Sequence, residues 1–120
     1  MSILSLILVG AIAALHVFIL WIEMFAWETR GPKAFASLPR DLFPKTKAMA
    51  ANQGLYNGFL AAGLIWSMLI GDLTWSVNVA TCFLLFVLVA GTYGAATVSR
   101  RIFYIQGVPA ILALLAVHLT

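Results

Sequence analysis

The sequence predicts an all-α integral membrane protein, folded as a bundle of four transmembrane helices. Of its 120 residues, 63% are hydrophobic and only 9% are charged, a composition outside the range of soluble domains. The apolar residues also form four runs of about 20 residues, the length that crosses a hydrocarbon core. These runs lack the alternation of polar and apolar residues that marks barrel strands. The prediction is therefore four helices rather than a β-barrel.

The four predicted helices cover about residues 3–27, 48–70, 75–97 and 102–119, and they form a single domain over residues 1–120. The first run begins without Lys or Arg and is too long for a signal core, so we interpret it as a retained helix. Residues 28–47 form a long inner connection between the first two helices. Within it, the spacing of Phe35, Leu38 and Leu42 favours either an interfacial segment or a lid over a cavity.

The positions of the basic residues predict the orientation in the membrane. All seven Lys and Arg residues lie in residues 28–47 or at Arg100 and Arg101, whereas residues 71–74 contain none. The positive-inside rule therefore places residues 28–47 and 98–101 in the cytoplasm and both termini outside. The net charge of +3 then orients the protein in the lipid bilayer, its expected partner. Nucleic acid is not expected as a partner, because the basic residues are confined to these two connections.

Polar residues in the predicted helices concentrate in the cytoplasmic half. The stretch "ANQGLYNG" opens the second helix with four of them in an arc of about 140° at 100° per residue. Polar groups in a bilayer are costly and usually face the bundle or a wet cavity. We therefore expect a polar pocket open to the cytoplasm. Its candidate ligand-binding residues are Glu23, Asn52, Gln53, Tyr56, Asn57, Tyr93, Arg100, Tyr104 and Gln106.

Each of these residues also has a structural interpretation. Amides in membrane helices often hold helices together, and Glu23 could instead reach the interface or pair with a loop base such as Arg30 or Arg100. His16, seven residues before Glu23 on the same face, is typical of a packing histidine. No metal site is expected, because no second His lies near it and the single cysteine, Cys82, has no cysteine partner.

Two further features concern packing. Gly54 and Gly58 form a GxxxG step, which is typical of close helix contact and which we place on the side of the second helix opposite its polar arc. Pro109 lacks a backbone N–H and would free the carbonyl of Ile105, widening the bundle beside the expected pocket.

Glu23 is the one candidate catalytic residue, because it is the ionisable member of the expected pocket. Spacing identifies no nucleophile–base pair and no oxyanion device, so the sequence leaves open whether the protein is an enzyme. The leading hypothesis is that the pocket binds a small amphipathic or thiol-containing molecule. The alternatives are a small proton-coupled transporter that works as an oligomer, and a structural membrane subunit.

The patterns "HVFILWIEMFAW" and "ANQGLYNGFLAAGL" resemble those of the domain of unknown function 1304 family, small four-helix membrane proteins of bacteria. This resemblance covers nearly the whole chain and implies a location in the bacterial inner membrane. It implies topology rather than an activity, because the family is uncharacterised.

The chain also resembles, more distantly, the MAPEG superfamily of membrane-associated proteins in eicosanoid and glutathione metabolism. The similar features are "KAFA", the Asn that opens the second helix, and the Arg-x-x-x-Tyr of Arg100 and Tyr104. The resemblance implies a homo-oligomer, for which it favours a trimer while a dimer stays open, with Asn52, Arg100 and Tyr104 contacting glutathione. The superfamily's Arg and Glu around that Asn are Ala51 and Leu55 here, so charges that would recognise glutathione are missing.

Overall fold

The computed structural model describes residues 1–120 and is all-helical, with no strand. The elements are α1 (Ile3–Phe25), α2 (Gly31–Ala34), α3 (Leu42–Lys45), α4 (Lys47–Leu69), α5 (Leu73–Thr97), α6 (Arg100–Ile102), a π-helical turn (Phe103–Gly107) and α7 (Val108–Leu119). The last three form one helix from Arg100 to Leu119. The all-α class predicted from the sequence is confirmed.

Three helices are long and apolar enough to cross a membrane: α1, α5 and the helix from Arg100 to Leu119. The bundle is 48 Å long, close to the ~40–45 Å of a bilayer with its headgroups. Only 28 of the 120 residues are buried, and large apolar side chains are exposed on all the long helices. Helix α4 has 23 residues but is less apolar, because polar side chains occupy its first turns. A fourth crossing, by α4, therefore stays a prediction.

The ends of the long helices differ by a few residues from the predicted ones. Helix α1 ends at Phe25 rather than near residue 27, and Trp27 packs beneath the inner connection. Helix α5 begins at Leu73, because the Asp72 carboxylate accepts a hydrogen bond from the Trp75 N–H at 2.9 Å. The last helix begins at Arg100, where the Ser99 hydroxyl caps it.

Helices α1 and α4 pack closely and antiparallel, with small residues at the contact. A Cβ atom on Gly58 would lie 2.5 Å from Leu20 Cδ1, and one on Gly54 would lie 2.7 Å from Met24 Cγ. The GxxxG step therefore faces α1. In an antiparallel pair of helices, residues at the same level have numbers with a constant sum, which is 78 in both of these pairs. Gln53 therefore lies level with Phe25, the last residue of α1. Residues 47–52 of α4 consequently extend about 9 Å beyond the end of α1, at 1.5 Å per residue.

The apolar core lies in the half of the bundle that contains both chain ends, where all four long helices meet. Its ten buried residues are Val9, Ile12, Ala13, Leu64, Ala80, Leu84, Val87, Ala110, Ala113 and Val117. At the outer end, the Ser76 hydroxyl donates to the Ser67 carbonyl at 2.7 Å and joins α5 to α4. The hydroxyls of Ser2 and Thr120 lie 2.6 Å apart, so the two chain ends meet.

The inner connection folds back on the bundle around Trp27. The Trp27 ring lies 4.7 Å from the Phe43 ring and 5.3 Å from the Phe35 ring, between ring centroids. Its indole N–H donates to the Thr46 hydroxyl at 3.0 Å. Gly31 is required at this crossing, since a Cβ atom there would lie 2.9 Å from the Phe43 ring. These contacts fix the connection against the inner ends of α1 and α4.

The π-helical turn lies just before Pro109 in the last helix. The Val108 N–H donates to the carbonyl of Phe103, five residues earlier, instead of the usual four. Pro109 has no N–H to continue the α-helical pattern, which accounts for the irregular turn. The turn comes very close to α5, because a Cβ atom on Gly91 would lie 3.0 Å from the Gly107 nitrogen.

Candidate functional site

A cleft of about 490 Å³ lies at the inner end of the bundle, between α1, the inner connection and the start of the last helix. We call it the inner cleft. It is lined by Leu15, Phe18, Ile19, Trp21 and Ile22 of α1, by Arg30 and Lys33–Ser37 of the connection, and by Val98, Ser99, Arg101, Ile102, Ile105 and Gln106. Its volume falls in the range of about 300–1,000 Å³ that is common for small-molecule sites.

Most of the lining of the inner cleft is apolar, and we call this apolar part the floor. Eleven of its seventeen lining residues are hydrophobic. Its α1 wall presents residues three and four apart, the spacing of one helix face. On the opposite wall, Ile105 belongs to the π-helical turn, so the irregularity before Pro109 forms part of the site. π-helical turns are frequent at functional sites.

The rim of the inner cleft is basic. Three cationic side chains line it: Arg30, Lys33 and Arg101, which we call the basic rim. No acidic residue lines the cleft. The one ion pair of the structure joins Lys47 and Glu28 at 3.5 Å, away from the cleft, so the basic rim has no acidic partner within 4.0 Å.

The inner connection forms one wall of the cleft through residues 33–37. Phe35 is held by its ring contact with Trp27, at 5.3 Å between centroids. Its neighbours in the chain, Lys33 and Ser37, also line the cleft. The sequence pattern left an interfacial segment and a lid as alternatives for this connection. In the structure, the connection covers one side of a cavity.

The structure does not bring the nine predicted site residues together. Of the nine, only Gln106 lines the inner cleft. Six are exposed on the outside of the bundle: Asn52, Gln53, Tyr56, Tyr93, Arg100 and Tyr104. Asn57 is half-buried and Glu23 is buried. That these residues bind a ligand stays a prediction.

Glu23 and Asn57 meet between α1 and α4. The Asn57 Nδ2 donates to Glu23 Oε1 at 2.6 Å, and Glu23 is only 6% exposed. Neither residue lines the inner cleft. Glu23 is thus held by an amide rather than by Arg30 or Arg100, and in this geometry it serves as a helix-to-helix contact. A catalytic role for Glu23 stays a prediction.

His16 is buried in the same interior, with 1% of its surface exposed. Its Nδ1 lies 2.8 Å from the Ile12 carbonyl, one turn earlier, which fits a proton on Nδ1. Its Nε2 has no hydrogen-bond partner. No three His, Cys, Asp or Glu side chains are grouped as a metal site would need.

Sequence reasoning missed the residues that build the inner cleft, with the exception of Gln106. The sequence marks Arg30, Lys33 and Arg101 as determinants of orientation, and it does not place them around a cavity. One signal could have found the site: the basic residues of both inner connections flank the same end of an apolar first helix. Their convergence depends on the fold of residues 28–47, which no periodicity in the sequence specifies.

Comparison with known proteins places the chain in a family. The family model described as "Protein of unknown function (DUF1304)" matches residues 10–118. The chain belongs to the DUF1304 family. It is also similar to the uncharacterized protein YpaA of Lactococcus lactis subsp. lactis (strain IL1403), with 26% identity over 118 residues, 97% of this chain and 98% of that protein.

No solved structure matches this DUF1304 protein. The match of the family model over residues 10–118 confirms the predicted membership in the DUF1304 family. The more distant resemblance to the MAPEG superfamily, and with it glutathione as a cofactor, stays a prediction. The inner cleft is therefore interpreted from its own geometry.

Proposed function

We propose that this DUF1304 protein crosses the membrane four times and binds a small amphipathic molecule in the inner cleft. The observation that carries the proposal is the cleft itself, with an apolar floor beneath a basic rim. A molecule with an apolar part and a polar end matches both surfaces at once. Nothing in the lining favours a thiol, so of the two predicted ligand types the amphipathic one has the support.

Two features support four crossings. Helix α4 packs along α1 through the same depth, since Met68 lies against Gly10 just as Gly54 lies against Met24. A bundle whose α1 spans the bilayer therefore carries α4 across it as well. In addition, Ser2 and Thr120 meet at one end of the bundle, and this requires an even number of crossings.

The basic residues support the proposed orientation. Arg30 and Arg101 come from different connections but line the same cleft at one end of the bundle. The positive-inside rule then places this end in the cytoplasm and both termini outside. In a bacterial cell, this corresponds to the inner membrane, with the cleft opening on the cytoplasmic side.

A homo-oligomer is part of the same proposal. Asn52, Gln53 and Tyr56 are exposed on α4 near the inner surface, and contact with a second copy would pair these groups. Trimer and dimer both meet this requirement. Determination of the mass of the detergent-solubilised protein checks it, and a monodisperse monomer would contradict it.

A photoreactive fatty acid tests the binding proposal. The full-length protein in detergent is irradiated with the probe, and the adducts are mapped to peptides by mass spectrometry. We expect adducts on residues 15–22 and 98–106, and their loss in Ala34→Trp, which fills the cleft. Ala48→Trp is the control, because Ala48 is also exposed but does not line the cleft. Adducts spread evenly over all helices in every variant would overturn the proposal.

A further inference from the structure

The basic rim carries charge of one sign only. Arg30 and Lys33 come from the inner connection and Arg101 from α6, and no acidic side chain lines the cleft or pairs with them. Three cations around an apolar cavity leave a positive potential that no acidic side chain within 4.0 Å offsets. A neutral ligand would leave it uncompensated, whereas a phosphate or carboxylate would accept charge-assisted hydrogen bonds from these side chains.

The apolar floor continues into the surface that faces lipid. Phe18, Trp21 and Ile105 line the cleft, yet they are 54%, 44% and 38% exposed. The Phe18 and Trp21 rings lie 6.1 Å apart on α1, so one aromatic pair joins the cleft to the outside of the bundle. A hydrocarbon chain could thus pass sideways from the bilayer to the floor without crossing a polar surface.

The volume of the cleft limits the size of the ligand. At about 30 Å³ for each water-sized group, 490 Å³ holds roughly 16 groups. That suits a single short chain, or part of a longer one, with a small head. Two chains of lipid length would need about twice that volume, so a single chain lies within the cleft.

We propose that the inner cleft takes an acidic single-chain amphiphile from the inner leaflet. Its phosphate or carboxylate lies against the basic rim, and its chain lies on the apolar floor and extends past Phe18 and Trp21 into the bilayer. This inference rests on the proposed function, because it names the ligand class of the same cleft. The source is the membrane rather than the water phase, because the floor opens towards lipid.

Three probes that differ in one property each test this inference by native mass spectrometry of the full-length protein in neutral detergent. Lysophosphatidic acid has one chain and an anionic head, lysophosphatidylcholine has one chain and no net charge, and glycerol 3-phosphate has the anionic head alone. We expect one lysophosphatidic acid per chain, bound at least about tenfold more tightly than lysophosphatidylcholine, and no retained glycerol 3-phosphate.

The variants separate the basic rim from general electrostatic attraction. Arg101→Gln and Lys33→Gln should each weaken lysophosphatidic acid binding by about tenfold, which corresponds to about 1.4 kcal/mol. Arg40→Gln and Lys45→Gln remove the same charge from exposed positions outside the cleft and should leave binding unchanged. Arg101→Lys keeps the charge and should retain most of the affinity. Thermal unfolding of each variant confirms that its fold is intact.

The remaining outcomes are distinct. Equal binding of both lysolipids, abolished by Ala34→Trp, would overturn the acidic ligand and leave the amphipathic site standing. Displacement of lysophosphatidic acid by glycerol 3-phosphate at similar concentration would overturn the membrane source. Equal losses in the Lys33 and Lys45 variants would overturn the role of the rim. Binding that no cleft variant alters would overturn both the inference and the proposed function.

Discussion

The side-chain amide of Asn57 donates a hydrogen bond to the carboxylate of Glu23, at 2.6 Å between Nδ2 and Oε1. This contact joins α4 to α1 directly beside the close approach at Gly54, where a Cβ atom would lie 3.0 Å from Glu23 Cβ. The polar pair and the small residue therefore belong to one interface. The GxxxG step was expected on the side of α4 opposite its polar arc, but Asn57 belongs to that arc and shares the α1 interface with Gly54.

Replacement of Asn57 by Ala should destabilise the protein by about 1–3 kcal/mol, because it leaves a buried carboxylate without its hydrogen-bond donor. Asn52→Ala is the matched control. Its amide is exposed and donates only to the Ala48 carbonyl of its own helix, so we expect a change within about 0.5 kcal/mol. Denaturant unfolding in detergent measures both. Equal losses in the two variants would contradict the importance of the Glu23 contact.

Glu23→Gln should leave the stability unchanged within about 0.5 kcal/mol or raise it, because a Gln oxygen still accepts from Asn57 and no charge is then buried. The same variant addresses the transporter alternative, since a proton-coupled protein would lose proton flux in proteoliposomes. Flux that is present in the parent and absent only in Glu23→Gln would favour transport over simple binding. A marked loss of stability would show that the carboxylate makes contacts beyond Asn57.

Gly63→Leu should destabilise the bundle by about 1–3 kcal/mol, because overpacking forces neighbouring groups to shift. A Cβ atom on Gly63 would already overlap the Phe83 ring of α5. Gly71→Ala serves as the control, because a Cβ atom there meets nothing within 4 Å. Thermal unfolding compares the two variants. A Gly63 variant as stable as the control would show that the Phe83 ring does not pack against Gly63.

His16→Leu should be tolerated, with stability unchanged or raised by up to about 1 kcal/mol. The substitution removes a buried nitrogen, Nε2, that has no partner, and it keeps an apolar side chain in the interior. Unfolding measurements check this expectation. A loss of more than about 2 kcal/mol would mean that Nε2 has a hydrogen-bond partner, such as a buried water.

Single cysteines in a Cys82→Ser background test the topology in intact cells. A water-soluble maleimide that does not cross membranes should label Gly71→Cys from outside, because this residue lies in the α4–α5 turn. Ser37→Cys should react only after the cells are opened, because it lies in the inner connection. In the parent protein, Cys82 is exposed in the middle of α5. It should resist the reagent, because lipid covers it. The reverse labelling of positions 37 and 71 would invert the proposed orientation.

The helices could be predicted because they follow from local apolar runs and caps. The site could not, because it depends on how the helices are placed relative to one another. The polar arc of α4 was expected inside the bundle. However, Gln53 lies level with the last residue of α1, and in the proposed topology an amide at this level reaches water or headgroups without a cavity. An arc on a helical wheel gives the direction of a side chain but not its depth.

The inner connection shows the same limit. Its spacing of apolar residues indicated contact with a surface, and Phe35 does contact Trp27. That this connection brings Lys33 to the same cleft as Arg101 depends on the close packing of Gly31 against Phe43. These are tertiary contacts, which the spacing of apolar residues along the chain does not specify. The sequence therefore predicts that this end of the molecule is basic. Only the fold shows that the basic side chains line one cleft.

The contact between Ser2 and Thr120 almost closes the chain into a ring. A linker of a few residues could join the two ends, and the α4–α5 turn at Gly71 could be opened in their place, since a Cβ atom added to Gly71 would meet nothing within 4 Å. The permuted chain would keep every helix–helix contact, while the order in which the helices leave the ribosome would change. The finished bundle and its route into the bilayer could then be studied as separate variables.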